Sequence, residues 1–344
     1  MTIQSTQIRL AARPLGEPRD SDFQTTVRTL PQLRNGQVSL RTVYLSLDPY
    51  MRGRMSDAKS YADPVEIGDV MVGGTVCEVI ESRAAGRQAG DLVLAYTGWQ
   101  THAVADARHT RRLDPRQAPV STALGVLGMP GFTAYAGLFE IGRPKPGETV
   151  VVAAATGPVG SAVGQLARLR GARAVGIAGG PRKCRALREV FGFDAAIDHR
   201  SPTFREDLAA ASPDGVDVYF ENVGGPVADA VTHRLNKFAR IPVCGLVADY
   251  NATGQPEGVD RLPGFLRRVL TLSLTVRGFI QDEFVPSLHD AFLHDMAGWV
   301  REGSVRYRED IVEGLEQAPE AFRGLLSGRN FGKLLVRVGE DPTR

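Results

Sequence analysis

Residues 148–180, ETVVVAAATGPVGSAVGQLARLRGARAVGIAGG, leave this chain little freedom in how it folds. The run 149–155 is apolar, rich in β-branched valine and too short for a membrane span, which predicts a strand buried on both faces. Gly157, Gly160 and Gly164 follow, with Val159, Val163, Leu166 and Leu169 at helical spacing behind them. Gly171 closes that helix, and residues 173–178 predict a second strand. Strand, glycine turn, helix and strand within about thirty residues make the βαβ unit that receives a dinucleotide. Ala155 stands where the first glycine of G-x-G-x-x-G would be. The turn alone therefore also reads as a plain tight connection, and the flanking strand and helix favour the nucleotide.

In that reading Gly157 lets backbone N–H groups approach a pyrophosphate, and Gly160 lets the helix lie close on the strand. The unpaired N–H groups and positive end of the helix favour the phosphate charge. The second strand runs into Ile177-Ala178-Gly179-Gly180, followed by Arg182 and Lys183. An NAD site places an acid about twenty residues beyond the glycine turn to bind the ribose 2′-hydroxyl. Small residues followed by two cations instead leave room for a 2′-phosphate and neutralise it, so NADPH is favoured over NADH. A solvated basic helix start is the alternative, although cations at a helix N-terminus work against the helix dipole.

The chain has 344 residues, 43% of them hydrophobic, enough for two domains with full cores. Its 41 basic and 39 acidic residues give a net charge of +2 without long like-charged blocks, which argues against nucleic acid and anionic membrane as partners. The polar start and short apolar runs predict neither a signal peptide nor a transmembrane span, hence a cytoplasmic protein. Cys77, Cys184 and Cys244 are widely spaced, and the six histidines show no paired metal motif. No bound metal is expected.

Residues 1–125 alternate short β-patterned runs, at 38–47, 70–80 and 91–96, with glycine turns, suggesting a small β-rich barrel or sandwich. Residues 123–138, small and apolar, predict helices leading into the nucleotide domain. Beyond the central unit, helices are expected at 182–191, 202–211, 226–238 and 283–301. Strands are expected at 195–199, 216–221, 240–244 and 274–280, giving a doubly wound parallel sheet. The tail, with strands at 307–312 and 333–338 around a helix at 319–326, suits a return to the first domain.

Five motifs, LDPYMRG from Leu47, GMPGFTAY from Gly128, AAATGPVGS from Ala153, YFENVGG from Tyr219 and NFGK from Asn330, occur in this order. Together they resemble the zinc-free branch of the medium-chain dehydrogenases/reductases. The likeness is to its prostaglandin reductase, leukotriene 12-hydroxydehydrogenase and curcumin reductase group of alkenal/one reductases, and it covers nearly the whole chain. The resemblance implies an α/β fold: a Rossmann doubly wound parallel sheet plus a GroES-like β-rich domain built from both chain ends. The domains would be 1–125 with 301–344, and 126–300 between them, usually in a homodimer. It further implies NADPH-dependent reduction of the C=C bond of α,β-unsaturated ketones and aldehydes.

By the same resemblance the turn Thr156, Gly157, Pro158, Val159 and Gly160, with Gly180, contacts the cofactor, and Lys183 meets its 2′-phosphate. Asn222 and Asn330 match cofactor contacts. Cys244, Gly245 and Tyr250 belong to the loop beside the nicotinamide ribose, and Phe279 and Ile280 to the segment against the nicotinamide. His199 stands where several relatives have a tyrosine near the adenosine phosphate. It can donate to phosphate, more strongly when protonated, or simply end a strand in water. The zinc-dependent relatives' Gly-His-Glu stretch and cysteine ligands are missing; Met71-Val-Gly-Gly-Thr75 lies in roughly that region.

Conjugate reduction needs hydride at the β-carbon, a donor where charge gathers on the carbonyl oxygen, and a proton at the α-carbon. Tyr250, whose phenol can give one hydrogen bond, is the candidate donor, shared with or replaced by a ribose hydroxyl; it also reads as an ordinary turn tyrosine. Tyr50 and Arg52 are candidates for the substrate mouth, with core packing the alternative for Tyr50. A zinc-free quinone reductase and a non-catalytic NADPH-binding protein remain the competing functions.

Overall fold

A computed structural model describes residues 3–254 and 259–344. The chain divides into two compact units, Met1–Leu124 with Glu309–Arg344, and Gly125–Arg308. In chain order the first carries β1 (Gln4–Leu10), β2 (Phe23–Thr29), β3 (Gln37–Ser46), the short α1 (Tyr50–Arg54), β4 (Thr75–Ser82), β5 (Leu92–Ala95), β6 (His102–Asp106) and β7 (Arg111–Leu113). The second carries α2 (Met129–Ala136), β8 (Thr149–Val152), α3 (Pro158–Leu169), β9 (Arg173–Ala178), α4 (Pro181–Glu189), β10 (Ala195–Asp198), α5 (Phe204–Ala211) and β11 (Val216–Phe220). It continues through α6 (Gly225–Thr232), β12 (Leu235–Val243), α7 (Leu262–Thr271), β13 (Thr275–Gly278) and α8 (Val285–Arg301). The chain then returns to the first unit with β14 (Glu309–Glu313), α9 (Ala318–Leu326) and β15 (Lys333–Arg337).

In the second unit six parallel strands run in the order β10-β9-β8-β11-β12-β13. Numbered from β8, that is 3-2-1-4-5-6, the doubly wound dinucleotide-binding order. β8 lies at its centre, and Val150, Val151 and Val152 are wholly buried, each worth about 1.5–3 kcal/mol against exposure. The strand is shorter than expected because Ala153–Thr156 already turns; Ala154 takes a left-handed φ of 49°. α3 packs Ala162, Val163 and Leu166 inward, and Gly171, at φ 75°, follows its end.

The expected helix over 226–238 is corrected: α6 stops at Thr232 and β12 begins at Leu235, so Phe238 lies in a strand. There Leu235, Ala239 and Ile241 are buried, and sheet pairing overrides the helical pattern of the preceding residues. The segment 70–80 becomes a strand only from Thr75, and 123–138 is helical as a short 3₁₀ turn, Val120–Leu124, followed by α2.

The first unit holds a mixed sheet ordered β14-β15-β3-β4-β5-β7, with β6 also on β3, and the separate antiparallel pair β1-β2. β14 and β15, from the far end of the chain, join through the antiparallel β15-β3 pairing. This unit is therefore built from both chain ends.

Candidate active site

In an open parallel sheet, ligands gather beyond the carboxyl ends of the strands where the order reverses, here between β8 and β11. β8 runs into the turn 153–157, closed by the Gly157 N–H on the Ala154 carbonyl at 2.9 Å. Gly157 caps α3 in an extended conformation, and Pro158 occupies the first helical position, where its missing N–H costs nothing. Ser161 N–H bonds the Gly157 carbonyl, leaving Val159 and Gly160 amides without an acceptor inside the helix. Gly160 is the tightest point. A β-carbon there would stand 2.6 Å from the Ala154 carbonyl oxygen and 2.7 Å from Ala155 Cα. At Gly157 it would meet only the Ala154 oxygen, at 3.2 Å. Turn and helix start thus present amides and a positive dipole end, fit for a phosphate. Thr156, beside them, is buried.

β9 ends at Ala178 without an acid. Gly180 adopts φ 91°, open only to glycine at low cost, and precedes α4, whose first turn holds Arg182 and Lys183. Asp198, at the end of β10, turns its carboxylate to the backbone: Oδ1 accepts the Gly180 and Arg200 N–H groups, each at 2.9 Å. Burial pulls its pKa up, but those bonds and the charges of His199 and Arg200 hold it below the usual range. His199 and Arg200 side chains lie over Gly179, within about 3 Å of where its β-carbon would be. Arg200 is the residue the sequence reading missed. Its position depends on the β9-β10 pairing, Asp198 beside Ala178, which no local pattern announces.

At the reversal point itself, Asn222 Nδ2 donates to the Ala153 carbonyl at 2.8 Å and so ties the end of β11 to the end of β8. Glu221, 4% exposed, accepts Val223 and Gly224 N–H groups at 2.6 and 2.9 Å and fixes the loop beyond it; burial raises its pKa against the pull of these bonds. Cys244 Sγ donates to Asn222 Oδ1 at 2.7 Å, and burial pushes the thiol pKa far up, so it stays protonated. A β-carbon at Gly245 would lie 3.4 Å from both the Asn222 carbonyl oxygen and the Tyr250 hydroxyl. Asn222, Cys244, Gly245 and Tyr250 are therefore gathered in one place, with Tyr250 following the short turn Val247–Asp249. Phe279 spends its ring on the core, against Phe220 and Phe284 at 6.3 and 6.0 Å. Ile280 donates its N–H to Glu283 at 2.9 Å, starting the turn before α8.

In the first unit, Tyr50 opens α1 and is partly buried; burial first, and the Asp48 charge next, raise its pKa beyond the ordinary phenol range. The Arg54 guanidinium lies 5.8 Å from the Tyr50 ring centre and 4.8 Å from that of Tyr61. Arg52 is buried and donates to the Pro14 and Gly16 carbonyls at 3.2 and 2.9 Å, clamping the loop after β1. Asn330 bonds the Gly332 carbonyl at 2.9 Å within its own turn. Lys333, three residues on, is buried and donates to Asp48 at 2.8 Å and to the Leu47 carbonyl at 2.7 Å, while Ser46 donates to the other Asp48 oxygen. The LDPYMRG and NFGK motifs thus meet in one buried ion pair.

Two family models match this chain: an N-terminal domain of oxidoreductase over residues 6–113 and a zinc-binding dehydrogenase over residues 158–288. Among the described residues, no group of three or more His, Cys, Asp or Glu side chains is placed to hold a metal ion. An NADPH-dependent curcumin reductase of Escherichia coli is 54% identical over 333 residues, covering 96% of each chain. Prostaglandin reductase 1 of Sus scrofa is 42% identical over 94% of this chain and 96% of its own. The crystal structure of CurA from Vibrio vulnificus in complex with NADPH superposes with a TM-score of 0.94 at 51% identity, over 98% of this chain and 100% of that one. The doubly wound sheet and the β-rich unit from both chain ends are accordingly its Rossmann and GroES-like halves. The chain belongs to the zinc-free medium-chain dehydrogenase/reductase family.

Proposed function

We propose that this chain is an NADPH-dependent reductase of C=C bonds conjugated to a ketone or aldehyde carbonyl. The observation that carries the reading is the gathering of an amide-lined glycine turn, the basic side chains of His199 and Arg200 beside Gly179 with Asp198 Oδ1 taken by backbone amides, and the Asn222–Cys244–Tyr250 group at one end of a single sheet. The residues fit NADPH. The α3 amides would meet the pyrophosphate, Lys183 and His199 the 2′-phosphate beside Gly180, and Asn222 with the 244–250 loop the nicotinamide ribose. When bound, NADPH supplies the hydride that adds to the β-carbon of the substrate.

The chain's own residues then have two tasks. Asn222 holds the two central strand ends together, so the reactants keep their alignment. Tyr250, near Gly245, donates to the carbonyl oxygen as enolate charge develops there, and the α-carbon takes its proton from an acid or water. Cys244 stays a neutral thiol and acts as a hydrogen-bond donor to Asn222. In the first unit Tyr50 and Asn330 keep the substrate- and cofactor-contact roles that the likeness implies, whereas Arg52 serves as a loop clamp.

The same reading includes a homodimer and a cytoplasmic setting. β13 is the outer strand of its sheet, with Val276 exposed, and α7 shows a row of exposed leucines, Leu262, Leu266 and Leu270, which suits a second copy of the chain. Among the described residues Cys77, Cys184 and Cys244 are free thiols, in keeping with a reducing compartment, and no helix is long and apolar enough to cross a membrane. The test is loss of NADPH absorbance against enones, enals, quinones and alcohols. Turnover of the enones and enals supports the reading; turnover confined to quinones or alcohols refutes it.

A further inference from the structure

β10 is the strand beside β9, and their parallel register sets Asp198 against Ala178. The residues after Asp198 therefore reach across the end of β9. The His199 N–H bonds the Ala178 carbonyl at 3.1 Å, and its side chain turns back over Gly179. A β-carbon at Gly179 would lie 3.0 Å from His199 Nε2, 3.0 Å from Arg200 Nε and 3.1 Å from Arg200 Cζ. Imidazole and guanidinium thus converge on one small residue next to the Gly180 turn. Asp198 locks this arrangement by taking the Gly180 and Arg200 amides on a single oxygen.

We propose that His199 and Arg200 jointly read the 2′-phosphate of the cofactor, and that protonation of His199 sets how strongly NADPH is preferred over NADH. This rests on the NADPH reading above and adds a second cation and a proton to it. The charged groups around the imidazole are Arg200 and Asp198 on its own strand end and Lys183 on α4, with the buried Cys184 thiol close to Asp198. Lost hydration on the packed side, then Arg200 and Lys183, hold the imidazole below its ordinary pKa against the opposing pull of Asp198. A bound 2′-phosphate, carrying about −1.5 to −2 charges, reverses that balance and favours the imidazolium. NADH offers a neutral hydroxyl at this point and does not.

The sign follows by linkage. Below the free-state pKa, His199 is charged with or without ligand; above the bound-state pKa it is neutral in both. Between the two, NADPH binding takes up a proton, and the contribution of His199 fades as pH rises, about tenfold in affinity for each unit separating the two pKa values. The phosphate ester itself titrates near about pH 6. That effect is common to the wild type and a His199 variant, so their difference isolates the histidine.

The experiment measures dissociation constants of NADPH and NADH by titration calorimetry on the full chain between pH 5.5 and 8.5, in buffers of different ionisation enthalpy. Wild type should lose at least about fivefold of its NADPH preference with rising pH, relative to His199→Gln, and take up more protons on binding NADPH than His199→Gln or His199→Tyr does. Arg200→Ala should weaken NADPH about tenfold at pH 7 and leave NADH unchanged. Identical pH profiles for wild type and His199→Gln, or equal losses for both nucleotides in Arg200→Ala, overturn the proposal. Binding of neither nucleotide overturns it together with the NADPH reading. Normal proton-linked binding without enone turnover sinks the reductase reading alone.

Discussion

Gly160→Ala is the sharpest perturbation of the nucleotide turn. The new methyl would stand 2.6 Å from the Ala154 carbonyl oxygen, 2.7 Å from Ala155 Cα and 3.0 Å from the Ala154 carbonyl carbon. Nonbonded carbons settle at about 3.5–4.0 Å, so helix and turn must part by roughly 1 Å. All three atoms are backbone, and none can rotate aside. The overpacking should cost about 1–3 kcal/mol of stability. A shift of that size also breaks at least one amide contact to a charged phosphate, worth about 1.5–3 kcal/mol. NADPH should therefore bind about ten- to a hundredfold more weakly. Fluorescence titration gives the affinity and urea unfolding the stability. Gly298→Ala, inside α8 with nothing within 4 Å of the added carbon, is the matched control. It should stabilise by up to about 1 kcal/mol without touching NADPH binding. Wild-type affinity and stability in Gly160→Ala would refute the close-approach argument.

Tyr250→Phe should lower kcat for an enone tenfold or more, about 1.4 kcal/mol or above of barrier; steady-state rates equal to wild type would remove the phenol from the reaction. Lys183→Ala should raise KM for NADPH far more than for NADH, and equal changes would place the 2′-phosphate reader elsewhere. Lys333→Met leaves a buried Asp48 without its ammonium partner, at side-chain exposures of 3% and 7% in the intact pair, and should cost about 3–5 kcal/mol. A urea midpoint unchanged from wild type would contradict that.

The central βαβ unit was legible because its signals are local: valines for a doubly buried strand, glycines for the turn, a 3.6-residue apolar period for α3. Gly180 and the missing acid after β9 could be read for the same reason. What escaped depends on chain segments meeting. Arg200 gains its place only when β10 pairs with β9, and the Asp48–Lys333 pair joins motifs at opposite ends of the sequence. Arg52, polar and inside a motif, looks like a substrate contact by sequence, yet its guanidinium bonds two carbonyls of a loop whose path no short-range pattern gives. Residues 233–238 illustrate tertiary override. His233, Asn236 and Lys237 carry no strand signature, and β12 exists because β11 and β13 flank it. α7 went unseen although its signal is local: Leu262, Phe265, Leu266, Val269 and Leu270 recur at helical spacing, with Phe265 and Val269 packed on the core and the leucine edge exposed.

The central claim is hydride delivery to the olefin rather than to the carbonyl. The direct measurement is the position of deuterium in the product when NADPH deuterated at nicotinamide C4 reduces an enone. The account predicts a saturated ketone with deuterium on the former β-carbon; an allylic alcohol with deuterium on the carbinol carbon would contradict it.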